Sequence, residues 1–185
     1  IEAGFSCEKF DAEQHLKSTN SDYRSLTIIV GCVDNYLARR EMHRAFDEFR
    51  GYGDASRLWW IDGGNGKTSG QVLLGSTTKI LKPDQYFTGT SICRALPAPS
   101  IQHSDLLKPE KVEVKSDASC PDRVRLGEQG LNVNQRVAIE MAEMLTEMLL
   151  TRSLKRFASY FDLESGASRS NYCTRDQIQG EVGPQ

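Results

Sequence analysis

Asp34 and Asn35 stand side by side at the end of the apolar run Leu26-Thr27-Ile28-Ile29-Val30, and Arg39 follows five residues after the acid. A carboxylate there can hold a divalent cation, directly or through water, and an amide can cap a helix or meet a ligand. The run itself reads as a strand buried on both faces, the kind found in parallel sheets. Gly31, Cys32 and Val33 carry it to its carboxyl edge. The next segment, YLARREMHRAFDEF, sets Leu37, Ala38, Met42, Ala45, Phe46 and Phe49 at helical spacing. In open α/β sheets ligands bind at such strand ends, and a helix N-terminus favours phosphate. The plainer alternative is that Asp34 or Asn35 only caps the helix. Arg39 lies in the first turn, where a cation opposes the macrodipole. Either an anionic partner holds it there or it is a solvated surface residue.

The five cysteines, Cys7, Cys32, Cys93, Cys120 and Cys173, are odd in number and widely spaced, with no C-x-x-C pair. That argues against a disulfide scaffold and against a structural zinc. Cys32, in an apolar strand, is expected to be buried and inert. Cys7 and Cys173 fall in weakly patterned ends, and Cys93 follows a short predicted strand near Gln85 to Thr88. Cys120 alone lies in a long polar stretch, with Arg123 and Arg125 nearby to favour its thiolate. A thiol with no task is the competing reading. His15, His43 and His103 share no spacing with an acid or cysteine that suggests a triad, and are expected at the surface.

The chain of 185 residues is long enough for one domain with a real core. Its formal net charge of -2 gives no basic field for nucleic acid. No apolar run approaches the roughly 20 residues needed to span a bilayer, so no membrane partner is expected. The first residues, IEAGFSCEKFDAE, lack the pattern of a signal peptide, and a reducing cytoplasm is the simplest setting.

The positioning elements follow in order. Residues 1–24 are polar, with a strand end near Ala3 to Cys7 and a short helix near Ala12 to Lys17 as possible elements. Gly51 and Gly53 are placed to stop the first helix. RLWWID, 57–62, is the second clear strand. The turn GGNGKTSG then leads into GQVLLG, which alternates like another strand, so a hairpin fits better than a phosphate-binding loop opening a helix. Ala95 to Gly130 has four prolines, many charges and no sustained period, a length usually functional or disordered. LNVNQRVAIEMAEMLTEMLLT reads as a long helix, with Asn132 and Gln135 as a capping box and Val133, Val137, Ala138, Met141, Met144, Leu145, Met148 and Leu149 on its apolar face. KRFASYFDL, 155–163, reads as a strand, and 164–185 as a polar, fraying tail.

This order of signals resembles the adenylating superfamily of ThiF, MoeB and ubiquitin-activating proteins over about residues 25–152. CVDN with Arg39 resembles the family's C-T-D-N-x-x-x-R segment, and WIDGGNGKTSGQVLLG its second strand and Gly-rich turn into a Gly-Gln-Val strand. SCPDRVRLGEQG resembles the cysteine-bearing crossover, and NVNQRVAIEMAEMLTEMLL the late amphipathic helix. LPAPSIQHSDLL and LGEQGLNVNQ are most similar to the ThiF-like proteins of plasmid-associated PRTRC systems. The resemblance implies a Rossmann-like α/β fold, partial over 1–163, with a crossover at about 95–130. It implies ATP-dependent adenylation of the C-terminus of a ubiquitin-like or sulfur-carrier protein, with Mg and ATP at Asp34, Asn35 and Arg39, and a homodimer or heterodimer. Cys120 is the residue that would then take the carrier as a thioester. The family's upstream Gly-rich turn and its phosphate cations have no counterpart in residues 1–24. The chain is therefore expected to be the carboxyl part of an adenylating protein, or a non-catalytic subunit that docks a ubiquitin-fold partner.

Overall fold

The computed structural model describes residues 26–49, 58–88, 92–109 and 130–182. Expectations for residues 1–24, for Gly51 and Gly53, and for Cys120 with Arg123 and Arg125 lie outside them. The described residues form an α/β arrangement around one mixed sheet of order β1-β2-β3-β6-β7. β1 (Thr27–Gly31) leads into helix α1 (Tyr36–Phe49) and returns as β2 (Leu58–Asn65), parallel to β1 with Ile29 opposite Trp60. β3 (Ser69–Gly75) turns back antiparallel as a hairpin, the Gly66 N–H donating to the Ser69 carbonyl at 2.7 Å. The GGNGKTSG stretch thus makes a hairpin turn.

A short two-stranded ribbon follows, β4 (Phe87–Thr88) with β5 (Ile92–Cys93), entered through a 3-10 turn at Pro83–Tyr86. Then come the one-turn helix α2 (Pro99–Gln102) and a 3-10 turn, Ser104–Leu107. Helix α3 (Leu131–Thr146) ends in a π-helical turn, Glu147–Thr151, closed by Arg152 in the left-handed region at φ 52°. β6 (Arg156–Asp162) pairs with β3, and β7 (Ser168–Tyr172) with β6, before helix α4 (Arg175–Val182).

Strand alternation sends Trp59, Ile61, Val72 and Leu74 to one face of the sheet, beneath α3, whose Val133, Val137, Met141 and Met144 are buried. Leu58 and Trp60 go to the other face, where Met42, Ala45 and Phe46 of α1 cover them. The Phe46 and Trp60 rings lie 6.5 Å apart and tilted by 47°, a pairing worth about 1 kcal/mol beyond the area it buries.

Four sequence expectations change. β1 lies at the edge of the described sheet, and Val30 is 52% exposed, so the strand is buried on one face only. Among the described residues, its outward face lacks the cover that α3 gives β2 and β3. The capping box does not form. The helix is capped two residues earlier, at Gly130, and Asn132 is inside it and exposed. Residues 94–108 are held against the sheet without a helical or strand period. The Gln102 side-chain amide donates to the carbonyls of Leu74 and Pro97, and Leu96 and Ala98 are buried. Residues 168–182 form a paired strand and a helix anchored by the fully buried Ile178, where composition suggested fraying.

Close backbone approach explains Gly75: a Cβ there would lie 2.0 Å from the Pro97 carbonyl oxygen. Gly75→Ala should lower stability by about 1–3 kcal/mol in urea unfolding, because the obstacle is backbone and cannot swing aside. Gly180, in α4 with nothing near its missing Cβ, should behave oppositely. Gly180→Ala is expected to gain about 0.5–1 kcal/mol.

Candidate functional site

The site lies at the carboxyl edge of β1 and β2. Gly31 ends β1 opposite Asp62, and its missing Cβ makes room for that acid: a methyl there would sit 2.6 Å from Asp62 Oδ1 and 3.0 Å from Trp60 Nε1. Beyond Gly31 the chain leaves the sheet, bends at Asp34 and Asn35, and enters α1. Both residues are exposed. Asn35 Oδ1 accepts the Ala38 N–H at 2.8 Å, so the amide caps the helix and satisfies one of its first free donors. Asp34 precedes the cap, where a carboxylate and the positive end of the helix suit each other.

Arg39 is buried at 9% exposure, and a solvated surface role is ruled out. Its Nε donates to Asp62 Oδ2 at 3.0 Å and to Oδ1 at 3.3 Å. Turning inward takes the guanidinium away from the positive end of its own helix and gives it a carboxylate. Arg39, Met42 and Phe46 repeat at helical spacing, so an arginine occupies the apolar stripe. Asp62 has no solvent exposure at all. Burial pushes its carboxyl up to about 6, against the opposing pull of the Arg39 charge and hydrogen bond and of the Trp60 indole N–H. That indole finds no regular hydrogen-bond acceptor among the described residues, yet its dipole favours the ionised acid.

Asp62 had no role in the sequence reading, though a signal was present. It is the acid in an otherwise apolar strand, two residues after Trp60 on the same face as α1. Cys32 is corrected: it is exposed, because it lies just past the last paired residue of β1. Partial burial and the Asp62 charge raise its thiol above the usual range.

His43 and His103 also differ from the surface reading, while His15 lies outside the described residues. His43 Nδ1 lies 2.8 Å from Ser100 Oγ, and its Nε2 lies 3.6 Å from Asp47 Oδ2. The residue types are those of a hydrolase triad, but Ser100 is only 3% exposed and its hydroxyl faces α1. A nucleophile must reach a carbonyl, so this cluster ties α1 to α2. His103 Nε2 meets the Tyr160 hydroxyl at 2.7 Å. Burial, first, and the nearby acids push that phenol up to about 12.

No group of three or more His, Cys, Asp or Glu able to hold a metal occurs among the described residues. A magnesium ion needs no such cage, since one or two carboxylates with substrate phosphates and water complete its shell. The exposed Asp34 fits that role, whereas Asn35 Oδ1 is used by the cap and Arg39 by Asp62.

Removing Asp62 leaves the Arg39 charge buried alone. Asp62→Ala should lower stability by about 3–5 kcal/mol in urea at pH 7, more than Asp62→Asn. The pH dependence has a definite sign. The folded chain holds the Asp62 proton with a pKa of about 6 against 3.8 for the free acid. This group's contribution to stability is therefore full below pH 3.8, falls as pH rises through about 6, and is flat above; the total is ~3 kcal/mol. Urea midpoints from pH 4 to 7 should flatten over that window in Asp62→Asn. Asn35→Ala should cost about 1 kcal/mol with no such pH signature.

Compared with known proteins, the chain matches no protein-family model and no curated protein sequence.

Proposed function

We propose that the chain is part of a ThiF/MoeB-type adenylating protein that uses ATP to activate the C-terminus of a ubiquitin-like or sulfur-carrier protein. The observation that carries this reading is the placement of Asp34. It is exposed at the carboxyl edge of a parallel β1-α1-β2 unit, beside the capped N-terminus of a 14-residue helix. The mixed sheet is compatible with a Rossmann-like fold, and the sequence resemblance supplies the reaction class.

In the proposed reaction the carrier's terminal carboxylate attacks the α-phosphorus of ATP. The new acyl–phosphate bond forms as the bond to the leaving pyrophosphate breaks. Magnesium, held by Asp34 and the phosphates, would supply charge neutralisation for the departing group. This chain's own contribution is positional. Gly31 and Asp62 fix where β1 ends, Arg39 fixes α1 against β2, and Asn35 sets the helix start. The positive end of α1 then favours phosphate beside Asp34. Cys120 is the proposed acceptor if the activated carrier passes on to a thioester.

One observation favours a second reading. Arg39 is engaged by Asp62 and so does not offer its guanidinium to a phosphate. A non-catalytic subunit that docks a ubiquitin-fold partner would need no such cation.

ATP–pyrophosphate exchange by the full-length protein with its carrier separates the two. Asp34→Ala is expected to abolish exchange with no more than about 0.5 kcal/mol change in stability, since the residue is exposed. Exchange at the wild-type rate would reduce Asp34 to a neighbour of the helix cap. Carrier binding without any exchange in the wild type would favour the docking subunit.

A further inference from the structure

In the sequence Cys93 follows a short predicted strand and Cys173 falls in the polar tail. The fold brings them together. Cys93 closes β5 and stands opposite Phe87 of β4. Cys173 follows β7, its N–H donating to the Lys155 carbonyl at 2.7 Å. Two residues on, Arg175 clasps the ribbon: its guanidinium lies 5.4 Å from the Phe87 ring centroid, and its Nε lies 3.3 Å from Asp84 Oδ1. Both cysteines are half-buried against the same apolar cluster, and the two thiols are neighbours. Cys93 Sγ also lies 3.1 Å from the Ala95 carbonyl oxygen.

We propose that Cys93 and Cys173 are a redox pair that closes to an intramolecular disulfide, fastening the β4-β5 ribbon to the β7-α4 junction. Two neighbouring thiols between packed elements need little backbone movement to join. Between ordered elements, the bond would clamp the C-terminal strand and helix to the ribbon. No third metal-ligating group accompanies the pair among the described residues, which favours a disulfide over a metal site.

The two sulfurs are not equivalent. The hydrogen bond from Cys173, helped by the Ala95 backbone and opposed by burial, lowers the Cys93 thiol below its usual range. The same hydrogen bond, burial and the neighbouring charges of Cys93 and Glu147 raise Cys173. Cys93 is therefore the attacking sulfur and Cys173 the resolving one. With hydrogen peroxide as oxidant, the Cys93 thiolate attacks one peroxide oxygen, the O–O bond breaks, and hydroxide leaves. Cys93 is then a sulfenic acid. The Cys173 sulfur attacks the Cys93 sulfur and loses its proton, and the S–O bond breaks to release water. Two thiols and one peroxide give one disulfide and two waters.

The test treats the reduced full-length protein with hydrogen peroxide, alkylates the remaining thiols, and maps peptides by mass spectrometry without reductant. The expected result is a linked pair of peptides carrying Cys93 and Cys173, lighter than the separate thiol peptides by two hydrogens and released by dithiothreitol. The pair should lose its alkylation before Cys7, Cys32 or Cys120. In Cys173→Ser, Cys93 should stop at the sulfenic acid and be trapped by dimedone. In Cys93→Ser, Cys173 should give no comparable adduct. Circular dichroism confirms that each variant folds. Recovery of both thiols alkylated while the exposed Cys32 is oxidised would overturn the proposal. So would a dominant link between either cysteine and another partner, or zinc binding by the reduced protein that is lost in either serine variant.

Discussion

The buried pair of Arg39 and Asp62 is the constraint on which the site depends. It joins the first turn of α1 to β2 across the edge of the β1-β2 unit. An ion pair this deeply buried adds little net stability, since removing two charges from water costs as much as their attraction returns. Its value is in orientation. Each partner is strongly disfavoured without the other, so α1 can rest on the sheet only where the guanidinium meets the carboxylate. That fixes the helix axis, and with it the bend that holds Asp34 and Asn35 outside.

The apolar packing is consistent with that geometry but does not by itself define it. Met42, Ala45 and Phe46 would bury against Leu58 and Trp60 over a range of small rotations, because dispersion contacts have little directional preference. The charged pair and the Asn35 cap select one setting. Gly31 is the permissive element beneath both, since any side chain at that position would displace the Asp62 carboxylate.

Similar directional contacts hold the segment after the ribbon. Residues 94–108 have no hydrophobic period to seat them, so Gln102 reaches two carbonyls, and His43 links Ser100 to α1. These bonds satisfy backbone groups that an irregular segment would otherwise leave unpaired inside the protein. The reactive-looking clusters of the chain thus divide by exposure. The Ser100 hydroxyl is enclosed and structural, whereas Asp34 is exposed at the helix start.

Elements with local signals could be read directly from the chain. The β-branched run at 27–30, the apolar spacing of α1 and α3, the Trp-rich second strand and the GGNGKTSG hairpin were all legible, because periodicity and turn chemistry act between near neighbours. So was the position of Asp34 at a strand end. Tertiary structure alone decided what those residues face. Arg39 and Asp62 are separated by 23 positions, and nothing between them marks the arginine as buried. Cys32 is exposed because pairing of β1 stops at Gly31, and Cys93 meets Cys173 only after β7 has docked beside β6. Val30 is half open to solvent because cover for a strand comes from elements elsewhere in the chain. Burial and charge pairing are properties of the assembled surfaces, and a single stretch of sequence carries only the side chain, not the neighbour that will meet it.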